Sequence, residues 1–319
     1  MKKISILIPA YNEQEVLEHL YHRLGKLAND NKLYEFEFMF ADDGSTDRTL
    51  EIIKEYANVD DRVAYVSLSR NFGKEIGMIA GLDHVTGDAT VIIDADLQDP
   101  PELIPKMIKF WEKGYADVYA KRNSREGETW IKILTANTYY WLLGKMTQTQ
   151  LITIPRNTGD FRLLDKRCVE ALKQLRESER YTKGMFSWIG YKKKEITYDR
   201  DPRAAGERKQ NYRKLTNLAI DGITSFSTTP LRISSFMGFI VSIIAFVYLV
   251  YVVIKASILG DSVAGYPSLM AVILFLGGVQ LLSIGIIGEY VGRIFKESKS
   301  RPLYFIEESH VAKSSKKTR

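Results

Sequence analysis

Cysteine is almost absent from the sequence. Cys168 stands alone, so no disulfide forms within the chain, a reducing compartment suits it, and the thiol reads as a packing group. No GxGxxG follows the first apolar run and no GxxxxGK(S/T) occurs anywhere, which disfavours dinucleotide oxidoreductases and P-loop nucleotidases. His19 and His22 lie three apart on an expected helix, but no carboxylate or cysteine pattern completes a zinc site around them. A signal peptide is not expected, because Pro9, Asn12 and Glu13 interrupt the short apolar run of MKKISILIPAYNE. The most telling absence is charge. Residues 233–254 and 262–288 contain no Asp, Glu, Lys or Arg, and each run has roughly the length that crosses a hydrocarbon core. A charge at the centre of such a helix costs about 2.5–3.5 kcal/mol, so two runs that avoid every charge predict two transmembrane helices.

What is present begins with size and sign. At 319 residues with a net charge of +6, the chain can bury a large core and suits an acidic partner: nucleic acid, an anionic membrane or substrate phosphates. Up to about residue 196, short β-rich runs alternate with amphipathic ones. ISILIP precedes a helix over 13–29, EFEFMFADDGS precedes one over 46–58, and VAYVSLS precedes one over 74–85, with ATVIIDAD following. That alternation predicts an α/β domain with a mostly parallel sheet. The polar clusters AYNE, DDGSTD, SRNFGK and DADLQD each follow a strand, so they should converge at the carboxyl edge, where such sheets bind ligands.

The expected organisation is a cytosolic domain over 1–210, an amphipathic juxtamembrane segment over 211–229, a two-helix transmembrane hairpin over 230–292 and a basic tail over 293–319. Arg232 lies before the hairpin and Arg293, Lys296, Lys299 and Arg301 after it, while the connection holds only Lys255 and Asp261. The positive-inside rule then puts the large domain and both termini on the cytoplasmic side of the plasma membrane. The last residues, 313–319, are expected to be disordered, either near an anionic leaflet or simply solvated.

In VIIDADLQDPP, residues i and i+2 of a strand share a face, so Asp94 and Asp96 are expected side by side. Two such carboxylates repel unless a cation lies between them. Hard oxygen ligands there, with the Gln98 carbonyl, suit Mg²⁺ or Mn²⁺ and a diphosphate.

Taken in order, IPAYNE, ADDGSTD, LSRNFGKEIGMIAGL, DADLQDPPE and GDFRLLD, followed by two apolar spans, resemble the family 2 glycosyltransferases that load a sugar onto a polyprenyl phosphate. Bactoprenol glucosyltransferases and, more remotely, dolichyl-phosphate mannose synthase are similar. The resemblance implies a GT-A fold, a UDP-sugar donor and an inverting transfer to polyprenyl phosphate at the membrane, with nucleic acid excluded as a partner. By the same resemblance Pro9, Tyr11, Glu13, Asp42 and Asp43 hold the nucleotide, and Asp94, Asp96 and Gln98 hold the metal and diphosphate. Asp160 of GDFR lies beside the acceptor, with a catalytic role shared between Asp160 and Asp96.

The stretch RDPRAAGERKQ over 200–210 matches a phosphate-contacting segment near the membrane, although Arg208 and Gln210 stand where serine and tyrosine are usual. Arg203, Arg208 and Lys209, together with Arg162, are the expected grips on the acceptor phosphate. Lys74 in NFGKE is open between a surface lysine and a site role. The missing RW pair disfavours a processive polysaccharide synthase, and a membrane-tethered nucleotide-sugar sensor is the rival outside enzymes. The sugar reads as glucose or N-acetylglucosamine. Glu289 and Arg293 leave room for a helix contact with a second copy.

Overall fold

The computed structural model describes residues 1–123, 158–178, 180–199, 229–259 and 265–312. Its first strands are rich in Ile, Val and Phe and buried on both faces, as parallel strands covered by helices must be. They are β1 (Lys2–Ala10), β2 (Tyr34–Asp42), β3 (Val63–Leu68) and β4 (Ala89–Ile92). Between them run α1 (Leu17–Asp30), α2 (Thr49–Val59) and α3 (Lys74–His84). Leu17, Leu20, Leu24 and Leu27 line one face of α1 at helical spacing and are buried with Phe36, Phe38 and Phe40 of β2.

A short 3₁₀ turn (Pro101–Leu103) and α4 (Ile104–Glu112) follow, then β5 (Asp117–Arg122), β6 (Thr158–Asp165), α5 (Lys166–Gln174), α6 (Thr182–Trp188) and β7 (Lys193–Tyr198). With β8 (Ile306–His310), the sheet order is β7-β5-β6-β4-β1-β2-β3-β8. The stretch β4-β1-β2-β3 is parallel throughout, whereas β6 joins β4 and β8 joins β3 in antiparallel sense. Chain order reverses at β1, which lies between β2 and β4. In an open α/β sheet the crevice beyond the carboxyl ends of two such strands is where ligands bind. The loops leaving β1 and β4 carry AYNE and DADLQ.

Two sequence expectations change here. Residues 293–319 do not form one tail: the preceding helix continues to Ser298, and Ile306–His310 returns to the sheet as its edge strand. Ser69 N donates to Phe305 O at 3.0 Å, and the Tyr304 hydroxyl donates to Asp83 at 2.6 Å. Leaving the edge of β3 unpaired would expose its backbone groups, and β8 satisfies them. Asp94 and Asp96 do not share a strand face either, because β4 ends at Ile92 and both carboxylates stand in the loop beyond it.

The second compact unit covers residues 219–301. It contains α7 (Thr229–Leu259) and α8 (Tyr266–Ser298), which contact each other. Large apolar side chains, among them Phe236, Phe246, Phe275 and Leu281, remain exposed along them. Among the described residues one helix segment, Phe275–Ser298, is long and apolar enough to cross a membrane, and Ile233–Tyr248 is a shorter apolar stretch. The juxtamembrane expectation over 211–229 lies, apart from Thr229 at the start of α7, outside the described residues.

Candidate active site

The loops after β1 and β2 are tied to each other. Thr46 N donates to Asn12 Oδ1 at 2.8 Å, and Glu13 N donates to Thr49 Oγ1 at 2.8 Å. Asp42, fully buried, accepts from Ser67 Oγ at 2.7 Å and from Ser45 N at 3.2 Å. Gly44 has φ +67°, and a Cβ there would stand 2.4 Å from the backbone of Arg70. Only glycine combines that backbone with that contact. Pro9 and Glu13 are half-buried and Tyr11 is exposed at the rim. The expected nucleotide residues thus share one edge, Tyr11 accessible and the Asp42–Asp43 pair largely engaged in shaping the loops.

Asp43 organises the next loop. Its carboxylate accepts from Phe72 N at 2.7 Å and Gly73 N at 2.8 Å. Burial pushes its pKa up, and the two N–H bonds oppose that rise. This pins the entry to α3, whose first residue is Lys74.

Lys74 reaches across to the other side of the crevice. Its Nζ donates to Asp94 Oδ2 at 2.9 Å and to Asp160 Oδ2 at 2.7 Å. Asp94 Oδ1 also lies 2.7 Å from the ammonium. Among the described residues, Asp94 Oδ1 and Asp160 Oδ1 are buried side-chain oxygens that make no hydrogen bond. Burial alone would raise the pKa of Asp160, but Lys74, then Lys183, hold it well below the usual carboxylate range. Desolvation would lower that of Lys74, and the attraction of Asp94 and Asp160 raises it instead. Glu75, half-buried, accepts from Thr182 N at 3.1 Å. Burial first, and the charge of Asp160 second, push it up to about 7.

The DADLQ turn is tightly folded. Leu97 takes φ +60°, unusual for a side chain of its size, and Asp96 Oδ1 accepts from Gln98 N at 3.2 Å. Asp96 is buried and Gln98 half-buried. Past the turn, Asp99 accepts a short hydrogen bond from the Tyr198 hydroxyl, which lies 3.5 Å from Arg122 Nε. The donor set fits Mg²⁺ or Mn²⁺: hard carboxylate oxygens with an amide nearby, one of them, Asp94 Oδ1, buried and neutralised only by the Lys74 ammonium beside it. Among the described residues no three His, Cys, Asp or Glu side chains group as a metal cage. An ion held by one or two carboxylates takes the rest of its shell from substrate phosphates and water.

Arg162 departs from its expected role at the acceptor phosphate. It is buried, paired with Asp117 at 3.1 Å, and its guanidinium lies 3.7 Å from the Phe186 ring centroid. It is two residues from Asp160 along β6, yet its hydrogen bonds go to Asp117 and the Gly159 carbonyl, and the cation hydrogen-bonded to Asp160 is Lys74. Arg203, Arg208 and Lys209 lie outside the described residues. Glu75 ends the NFGKE stretch but receives no role from the sequence, because its proximity to Asp160 depends on how α3 packs.

Residues 5–173 match the model of Glycosyl transferase family 2, more than half of the chain. The chain belongs to that family and is a glycosyltransferase with a GT-A type α/β fold. Residues 229–294 match the GtrB C-terminal hairpin. The chain is 48% identical over 306 residues to an uncharacterized glycosyltransferase of Synechocystis sp., covering 96% of this chain and 95% of the relative. It is 44% identical over 307 residues to an uncharacterized glycosyltransferase of Bacillus subtilis, covering 96% and 94%. With the bactoprenol glucosyl transferase of Shigella phage SfX it shares 45% identity over 305 residues, covering 96% and 99%.

Proposed function

We propose that this glycosyltransferase moves one hexose, glucose or N-acetylglucosamine, from a UDP-sugar to the phosphate of a membrane polyprenol, with inversion at the sugar carbon. The observation that carries the reading is the approach of Asp94 in the DADLQ turn to Asp160, within reach of a single ammonium. A donor-diphosphate group and an acceptor-side group of one transfer need that proximity. The relatives named bactoprenol glucosyl transferases and the match to the GtrB hairpin support a lipid acceptor. The exposed apolar faces of α7 and α8 support a two-helix membrane hairpin, with the catalytic domain and both termini cytoplasmic.

In this reading the Tyr11 rim and the Asp42–Asp43 loops bind the uridine end, and Asp94, Asp96 and Gln98 hold Mg²⁺ or Mn²⁺. When bound, that ion supplies charge neutralisation for the departing diphosphate. A phosphate monoester is mostly ionised near neutral pH, with a second pKa of about 6, so the nucleophile needs little deprotonation. Asp160, held anionic by Lys74, is correspondingly a weak base, and its role is to orient that ammonium. The basic residues Arg203, Arg208 and Lys209 complete the acceptor's phosphate site. Incubating purified protein with each UDP-sugar and undecaprenyl phosphate, then weighing the lipid products by mass spectrometry, tests the reading. A lipid heavier by one hexosyl unit supports it; a polymer series or unchanged lipid contradicts it.

A further inference from the structure

Lys74 stands where a lysine is not favoured. It opens α3, and a cation in the first turn of a helix is opposed by the helix dipole. Its position is nevertheless fixed, because Asp43 holds the two backbone N–H groups just before it. Two carboxylates from different parts of the fold, the loop after β4 and strand β6, close on its ammonium. The side chain is still 47% exposed, so a ligand entering the crevice can reach it. An ammonium has three N–H donors, and two of them are engaged here, one with Asp94 and one with Asp160.

We propose that Lys74 is an exchangeable cation of the transfer site: it neutralises Asp94 while the donor is absent, and if Asp94 were to hold a divalent ion, the Lys74 ammonium would turn from it toward the phosphate of the acceptor. This rests on the metal-assisted transfer proposed above. The ammonium lies 2.7 Å from Asp94 Oδ1, so a divalent cation on that carboxylate would stand within a few ångströms of it, and the repulsion between the two would cancel most of what holds Lys74 to Asp94. Asp160 keeps its hydrogen bond to the ammonium and so retains the side chain in the crevice. The donor released from Asp94, with the third N–H, then faces the region between Asp94 and Asp160. A phosphate dianion there meets a compact point charge, which is how lysine binds phosphate. The order follows from charge: Lys74 would bind the acceptor phosphate best when its ammonium is no longer committed to Asp94.

The test uses full-length protein in detergent and two readouts. Mn²⁺ binding without any donor is followed by the electron paramagnetic resonance signal of free Mn²⁺, and steady-state transfer gives KM for UDP-sugar and for undecaprenyl phosphate. Lys74→Gln is expected to bind Mn²⁺ about tenfold more tightly than wild type, since a competing charge has gone, while its KM for the lipid rises about tenfold and its KM for UDP-sugar stays within about threefold. Lys74→Arg, which keeps the charge, should restore most of the lipid KM. If Lys74→Gln is poorly folded by circular dichroism, Lys74→Gln with Asp160→Asn removes the facing carboxylate as well and should still bind Mn²⁺ more tightly than wild type. Mn²⁺ affinity unchanged or weaker in a folded variant, or a lipid KM equal to wild type, overturns the assignment. A wild-type protein that neither binds Mn²⁺ nor glycosylates the lipid overturns the reading of the reaction, and this assignment with it.

Discussion

The ammonium of Lys74 donates to Oδ2 of Asp160 at 2.7 Å. That contact decides what Asp160 can do. With its pKa held down by Lys74, the carboxylate stays charged across the working pH range. Asp160→Asn should therefore lower transfer by about 10²-fold through loss of orientation, without moving the acidic limb of the pH profile. Measuring kcat/KM from pH 5 to 9 for wild type and variant checks this. A limb that shifts in the variant would show that Asp160 titrates in catalysis.

Glu75 behaves in the opposite way. Its folded pKa of about 7 stands above its ordinary value, so the stability it contributes is fully present below the unfolded pKa and is lost as pH rises through about 7. Glu75→Gln should raise the melting temperature relative to wild type at pH 8 and lose that advantage near pH 4. Thermal melts at the two pH values give the answer, and equal differences at both would rule out titration of Glu75 as the cause.

Arg162 belongs to the scaffold. Breaking its buried pair with Asp117 leaves that carboxylate only the more distant Lys193, 4.0 Å away, and losing one partner of a buried pair typically costs about 3–5 kcal/mol. Arg162→Met is expected to destabilise the domain by that order and to leave the lipid KM of the surviving folded protein near wild type. Denaturant unfolding alongside kinetics separates the two effects, and a raised lipid KM at unchanged stability would return Arg162 to the acceptor site.

Gly44 tests the join between the β2 and β3 loops. A methyl group at φ +67° would lie 2.4 Å from Arg70 backbone, and backbone cannot yield as a flexible side chain does. Gly44→Ala should lose about 2 kcal/mol or more of stability and weaken UDP binding, because both loops must move apart. Calorimetric titration with UDP would detect the loss, and wild-type affinity would contradict it.

Much of the catalytic domain is legible in the sequence because its strands announce themselves. ISILIP, EFEFMF and VAYVSL fall in β1, β2 and β3, and the expected helix over 74–85 nearly coincides with α3. The clusters after those strands meet at one edge, since parallel strands bring their carboxyl ends together. Strand periodicity sets Asp94 beside Asp96, but it ceases at Ile92. The pairing of Arg162 is not legible, because adjacency to Asp160 in sequence says nothing of a partner on β5. The strand Ile306–His310 escaped because IEESH is short and polar, an edge that pairs through its backbone. Lys74 could only be left open: its partners lie 20 and 86 residues away, and no local pattern predicts contacts of that separation.

The most direct test of the account is transfer of radiolabelled hexose from UDP-sugar into undecaprenyl phosphate by the purified protein, with EDTA and then with excess Mg²⁺ or Mn²⁺, repeated with Asp96→Asn. The account predicts a labelled lipid that disappears with EDTA, returns with the metal, and falls at least about 10²-fold in the folded variant. Labelling that persists in EDTA, or survives in Asp96→Asn, would contradict it.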